Sequence, residues 1–362
     1  MAATTGFRPP TWLLLQALWA VACPSVVDDA DDDDSSASFR RLWVPHFDKG
    51  ELQGWAADRL SADPTGGPDI VLRLPDGTHA NAAAFDADGD LWVTDNAGHR
   101  LLELAARDLS TSGSPTPATI IETDGASLRS PIGLVSDGEG GLWVAVEGRV
   151  ELFVASDLDG PGPTTPTRTL THVGFDQPAG LTFDDEGDLW LSDAAPDDGG
   201  ANDNAVMAFA PAQLAAGGEQ TPLLTLTYTS FALVEGLQFD DDGDLWVASN
   251  DGLAVSRFDA DDVALPGASE VRAVEPVGSL ESDDDDSATG RSVRKPGGIL
   301  FDPDGNLWVN SERGDPGDDL SAVLRFDRAQ LDDVIGSQGL SAAVLLERAT
   351  SNPGFGGLAL ER

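Results

Sequence analysis

Five oxygen-bearing residues, Asp193, Glu235, Asn250, Asn310 and Glu312, stand where a recurring segment of this chain begins or ends. Carboxylates and amide oxygens converging from such points suit a hard cation, and Ca²⁺ takes about 6 to 8 oxygen ligands. The five are therefore the expected metal set, with Ca²⁺ the one cofactor they suggest. Nucleophilic chemistry has less to work with. No Gly-x-Ser-x-Gly elbow occurs, and the four histidines, His46, His79, His99 and His172, fall at unlike positions. No residue is singled out as catalytic. Short Asp-x-Asp/Glu-Gly runs begin at Asp86, Asp137, Asp184, Asp240 and Asp302. They are too short for an EF-hand, whose loop needs ligands through its twelfth position, because strand residues follow almost at once. An aspartate opening a type I turn, with its side chain capping backbone amides, accounts for them instead.

These residues are positioned by a repeat. A Leu-Trp pair returns at Leu42-Trp43, Leu91-Trp92, Leu142-Trp143, Leu189-Trp190, Leu245-Trp246 and Leu307-Trp308. The unit is written most fully in Gly180-Leu181-Thr182-Phe183-Asp184-Asp185-Glu186-Gly187-Asp188-Leu189-Trp190-Leu191. Gly-Leu-x-Phe alternates as a strand with one packed face, Asp-x-Asp/Glu-Gly turns, and Leu-Trp begins the next strand. A third strand, as at 100–104 or 323–326, and a fourth, as at 118–122 or 223–227, complete about 50 residues, the size of a propeller blade. The fold expected is all-β, a six-bladed β-propeller of four-stranded blades. The last repeat stops after Gly357-Leu358-Ala359-Leu360, and the first lacks that strand, so one C-terminal strand is expected to pair with the N-terminal blade and close the ring. Strand alternation then places the turns at one end of the ring and the candidate ligands at the other. The tryptophans, one per blade, are read as blade-to-blade packing.

The repeat resembles the NHL-type six-bladed propellers, among which gluconolactonase-like, regucalcin-like and streptogramin-lyase-like proteins are found. Asp86-Ala87-Asp88-Gly89-Asp90-Leu91-Trp92-Val93 and Asp302-Pro303-Asp304-Gly305-Asn306-Leu307-Trp308-Val309 carry the resemblance, which covers residues 39–362. The gluconolactonase likeness implies a metal-binding Glu before a Gly at the start of a first strand, and Glu235-Gly236 fits. The Pro-aromatic continuation of that family is replaced by Leu237-Gln238-Phe239. The lyase likeness implies a histidine pair with a glutamate, and no such dyad is visible. A shared scaffold does not transfer an activity.

Residues 1–23 read as an export signal, with Arg8 ahead of an apolar run and Ala20-Val21-Ala22 before Cys23, the only cysteine. That arrangement resembles a bacterial lipobox with Ala20 where Leu is usual, so Cys23 is the expected lipidation site. Residues 24–38, rich in Asp and Ser, form an acidic linker, and 39–362 form the propeller. The expectation is a monomeric envelope lipoprotein that touches a membrane only through its anchor; simple secretion is the alternative. The net charge is -42, and the first 38 residues contribute only Arg8 and six aspartates to it, so the folded surface is acidic. Such a surface repels phosphate backbones and excludes nucleic acid as a partner. Two functions stay open: a binding propeller whose loop face takes a protein, glycan or small molecule, and a Ca²⁺-dependent, lactonase-like hydrolase or lyase with the metal at the channel mouth.

Overall fold

Each Asp-x-Asp-Gly-x-Leu-Trp run is held by its first aspartate. In blade 6, Asp302 Oδ1 accepts the amides of Asp304 (3.1 Å) and Asn306 (3.0 Å), while Oδ2 accepts the Trp308 indole N–H at 2.9 Å. Asp86, Asp184 and Asp240 repeat this double use, each with its indole at 2.8 Å from Trp92, Trp190 and Trp246. One side chain thus caps the turn and fixes the tryptophan six residues on. The glycine of the turn has positive φ in all four blades (77° to 83°), a conformation that L side chains avoid.

The computed structural model describes residues 39–122, 128–158, 160, 162–194, 204–281, 291–313, 320–348 and 357–362; for 162–163, 312–313, 320–321 and 347–348 it describes the backbone alone. Cys23, the leader, the linker and the acidic run 283–286 lie outside these residues. The strands form six sheets, mainly antiparallel, in a ring: a six-bladed β-propeller. Blade 2 shows the plan, with Ala80–Phe85 innermost, then Leu91–Asp95, Arg100–Leu104 and Thr119–Glu122. Blades 3 to 6 repeat it from innermost strands Leu134–Ser136, Pro178–Phe183, Val234–Phe239 and Pro296–Phe301. Blade 1 is built from Arg41–His46, Glu51–Ala56 and Ile70–Arg73, and its innermost strand is Ala359–Glu361, which pairs antiparallel with Arg41, Leu42 and Trp43. The ring therefore closes as the broken repeat requires. Having no Asp turn before it, Trp43 gives its indole N–H to Glu361 at 3.0 Å instead.

The buried core is a set of layers between blades. Trp190 packs edge-on against Phe239 of blade 5 (5.4 Å between ring centroids), and Trp246 meets Phe301 of blade 6 in the same way at 5.9 Å. The tryptophan reading thus holds, with the indole N–H bond added to it. The Pro/Gly-rich spacers between third and fourth strands do more than the sequence indicates. In four blades the spacer, or part of it, pairs in parallel with the outermost strand of the blade before: Gly162 and Pro163 with Ile121 and Glu122, Gly218–Glu219 with Leu170 and Thr171, Glu270–Ala273 with Leu224 to Thr227, and Gly336–Gln338 with Gly278 to Leu280. The expected four-stranded blade gains a fifth, borrowed strand in these sheets. In these four sheets the outer edge is covered by the neighbouring blade, which blunts an otherwise open template for aggregation.

Candidate functional site

The upper end of the ring, opposite the Asp turns, is assembled from the ends of the second strands and the segments leading into the first. Three consecutive positions recur there. The first is a hydroxyl in blades 2 and 4. Thr94 accepts the Ala82 amide at 2.8 Å and donates to the Ile132 carbonyl of blade 3 at 3.2 Å; Ser192 accepts from Gly180 at 2.8 Å and donates to the Glu235 carbonyl of blade 5 at 2.6 Å. The second position ties down the lead-in segment. Asp95 takes the His79 amide (2.9 Å) and Arg100 Nε (2.8 Å); Asp193 takes the amides of Gln177 (2.7 Å) and Asp176 (3.1 Å); Ser249 and Ser311 take those of Ala232 and Arg294, each at 2.9 Å. The third is an amide side chain reaching the next blade, from Asn96 to the Pro131 carbonyl (3.4 Å) and from Asn250 to the Lys295 carbonyl (3.3 Å).

Four of the five expected metal ligands occupy these positions. Asn310, buried in blade 6, stands at the hydroxyl position, Asp193 at the clamp, and Asn250 and Glu312 at the bridge. The Glu312 side chain lies outside the described residues. Asp193 accepts backbone amides through both carboxylate oxygens, and the Asn250 amide is spent on a carbonyl. Among the described residues no three His, Cys, Asp or Glu side chains come together in an arrangement that could hold a metal ion. Asp193 thus holds a lead-in segment and Asn250 reaches a neighbouring blade, and the Asp193 oxygens are occupied by backbone amides.

Glu235 differs from them. It lies on the innermost strand of blade 5, is 5% exposed, and lines the central channel, a cavity of about 940 Å³ bounded by the innermost strands of all six blades. Glycine and alanine dominate its upper wall at Ala82, Gly133, Ala179, Gly180, Gly236 and Gly298, which leaves Glu235 as the carboxylate there among the described residues. Three residues three positions before the strand glycines, Ser130, Leu233 and Lys295, hold φ of 48°, 52° and 43°. A left-handed backbone at non-glycine residues costs roughly 1–3 kcal/mol each, and strain of this kind gathers at ligand clamps and active sites. No pattern in the sequence signals it, because none of the three is Gly or Asn.

The histidines do not meet as a dyad. His99 Nδ1 accepts the Ser130 amide at 3.0 Å, His172 Nδ1 lies 3.0 Å from the Gln220 carbonyl, the His79 ring rests on Phe47 at 4.6 Å between centroids, and His46 is fully buried in blade 1.

No family model and no curated protein matches this chain. Among solved structures it is similar to a protein of unknown function from Bacteroides caccae, at 13% identity over 90% of this chain and 100% of that one, with a TM-score of 0.58. A chain of a nidogen/laminin complex is similar at 15% identity over 89% and 98%, TM-score 0.55, and a streptogramin B lyase at 14% over 79% of each chain, TM-score 0.48. At these identities the likeness is one of fold.

Proposed function

We propose that this chain is a binding propeller of the NHL type that takes a small-molecule ligand at the upper mouth of its channel, with Glu235 as the charged anchor. The observation that carries the reading is the pairing of one buried carboxylate with a rim strained at the same point of three blades. A cavity of about 940 Å³ lies within the roughly 300–1,000 Å³ of small-molecule sites, where a few placed polar groups set specificity. The employment of Asp95 and Asp193 in backbone contacts, with the four histidines in separate contacts of their own, speaks for binding over hydrolysis at the described residues of the rim.

Thermal-shift screening of the full chain against cationic and polyhydroxylated small molecules tests this. A class that raises the melting temperature of the wild type and loses that effect in Glu235→Gln is the expected result. Hits indifferent to Glu235→Gln would overturn it. A melting temperature lowered by chelator in the wild type alone, together with lactone turnover, would replace it with the Ca²⁺-dependent hydrolase.

The leader supports a second element, that the propeller works outside the cytoplasm on a lipid attached at Cys23. In a bacterial host, palmitate label is expected in the wild type and absent from Cys23→Ala; an unlabelled wild-type protein found free in the medium means simple secretion.

A further inference from the structure

At the lower end, blades 4, 5 and 6 frame a second cavity, a groove of about 1170 Å³. Carboxylates of Asp185, Glu186, Asp241 and Asp242 line it, and its walls include Phe183, Phe239, Phe301 and Leu265. Acidity alone would mean little in so acidic a protein. What sets the groove apart is Asp188, which lines it at 9% exposure with no side-chain hydrogen bond or ion pair to any of the described residues.

The counterparts of Asp188 in other blades are satisfied. The residue just before Leu-Trp accepts the first amide of the short helix that follows the third strand: Asp90 from Ala106 at 2.7 Å, Asp244 from Ala260 at 2.8 Å, and Asn306 from Arg328 at 3.0 Å. Asp244 also pairs with Arg257 Nε at 2.8 Å. In blade 4 the helix Pro211–Ala216 begins with proline, which has no N–H, and Ala208 stands in register where blade 5 has Arg257. Both partners are missing from one site. A buried carboxylate so placed is costly unless something else pairs with it.

We infer that this groove binds an alkylammonium cation, with Asp188 as the anchor for one ammonium group. The inference goes beyond the ligand at the upper mouth and concerns the opposite end of the ring. The chemistry follows from the lining: ammonium groups meet Asp188 and the flanking carboxylates, while the intervening methylenes lie on phenylalanine and leucine. Three grouped acids suited to a metal ion are absent among the described residues, which favours a cation that spreads its charge along a chain. Burial, then the neighbouring carboxylates of Asp184 and Glu186, push the Asp188 carboxyl up to about 6, as expected of an acid awaiting a counter-charge.

The test is calorimetric titration of the full chain at low ionic strength with spermidine and, separately, with trilysine; these distinguish a free polyamine from lysine side chains of a peptide. Either binding in the wild type supports the site. Asp188→Asn is expected to weaken it at least tenfold, and Asp58→Asn, an exposed charge on blade 1, to leave it unchanged. Pro211→Ala is the decisive variant, because it preserves every charge yet restores the amide that would occupy Asp188; several-fold weaker binding is expected. Equal binding by wild type, Asp188→Asn and Pro211→Ala would mean diffuse attraction to an acidic surface and would overturn the inference, as would no binding of either probe.

Folding of the variant has its own readout. A raised folded pKa means the carboxylate is tolerated while protonated and becomes costly as pH climbs from about 4 through about 6. Asp188→Asn should melt like the wild type below pH 4 and higher than it at pH 7. The other charges facing this point are Asp184, Asp185 and Glu186 on its own turn, Asp240 to Asp242 and Asp302 on the adjoining turns, and Arg362, while Arg328 is held by Asp241 at 3.0 Å.

Discussion

A chain ending at residue 356 is expected to lose its cooperative melting transition, or to melt more than about 10 °C below the full chain. The six residues removed are few, but they are the innermost strand of blade 1. Their loss deletes the ladder to Arg41, Leu42 and Trp43 and the bond from the Arg40 amide to the Glu361 carbonyl at 2.6 Å. It also strips the Glu361 carboxylate from Arg41 (2.9 Å) and from the Trp43 indole (3.0 Å), leaving a largely buried cation and a buried N–H unpaired. Breaking one such pair costs about 3–5 kcal/mol by itself. Leu358 and Ala359, each 5% exposed, leave the layers on either side of blade 1, so two of the six core layers open together. Circular dichroism melting measures this directly. A peptide of residues 355–362 added in trans should recover part of the loss by strand addition. Truncated and full-length chains melting alike would mean that the ring does not depend on this strand.

Gly180→Ala is expected to be among the most harmful single substitutions. A Cβ built there lies 2.0 Å from the Glu235 carbonyl oxygen and 2.7 Å from Leu237 Cδ2, both on the innermost strand of blade 5. The same close approach recurs around the axis, from Gly133 to the Ala179 carbonyl at 1.8 Å and from Gly236 to the Gly297 carbonyl at 2.5 Å. The obstacle is backbone, and these strands are hemmed in by their neighbours, so relief at one contact is transmitted to the next. A cost of about 3 kcal/mol or more is expected, the upper part of the overpacking range. The shift would also break the Ser192 bond to the Glu235 carbonyl and move the Glu235 side chain in the channel mouth. Denaturant unfolding measures the stability change. Gly67→Ala, where an added Cβ meets nothing within 4 Å, is the control and should be neutral within about 0.5 kcal/mol. Equal effects at the two positions would refute the close-approach argument.

The scaffold was readable from sequence because its determinants are local. The Asp turn, its glycine and the tryptophan lie within seven residues, and Asp302 bonds only to groups two, four and six positions away. Period-two alternation fixed the strands, and the missing first strand of one repeat, matched against the orphan strand of the last, fixed the closure. Even so, four of the six blades came out with a fifth strand. The pairing of Glu270–Ala273 with Leu224 to Thr227 joins a stretch that reads as Pro/Gly-rich spacer to a fourth strand of the preceding blade, and it exists only because the ring brings blade 5 alongside blade 4.

The chemistry followed the opposite rule. Type and spacing picked out Asp193, Glu235, Asn250, Asn310 and Glu312 as oxygen donors at one end of the ring, and the end was right. Whether an oxygen is available depends on which amide or carbonyl lies beside it. Those partners are distant in the chain: Gln177 for Asp193 and, on the lower face, the absent N–H of Pro211 for Asp188. Sequence by itself therefore determined the six blades, their closure and the acidic surface, because turns, alternation and charge are properties of neighbouring residues. Only the tertiary structure decided that Asp95 and Asp193 take backbone amides and that Glu235 and Asp188 line cavities, because contacts between blades are settled by closing the ring.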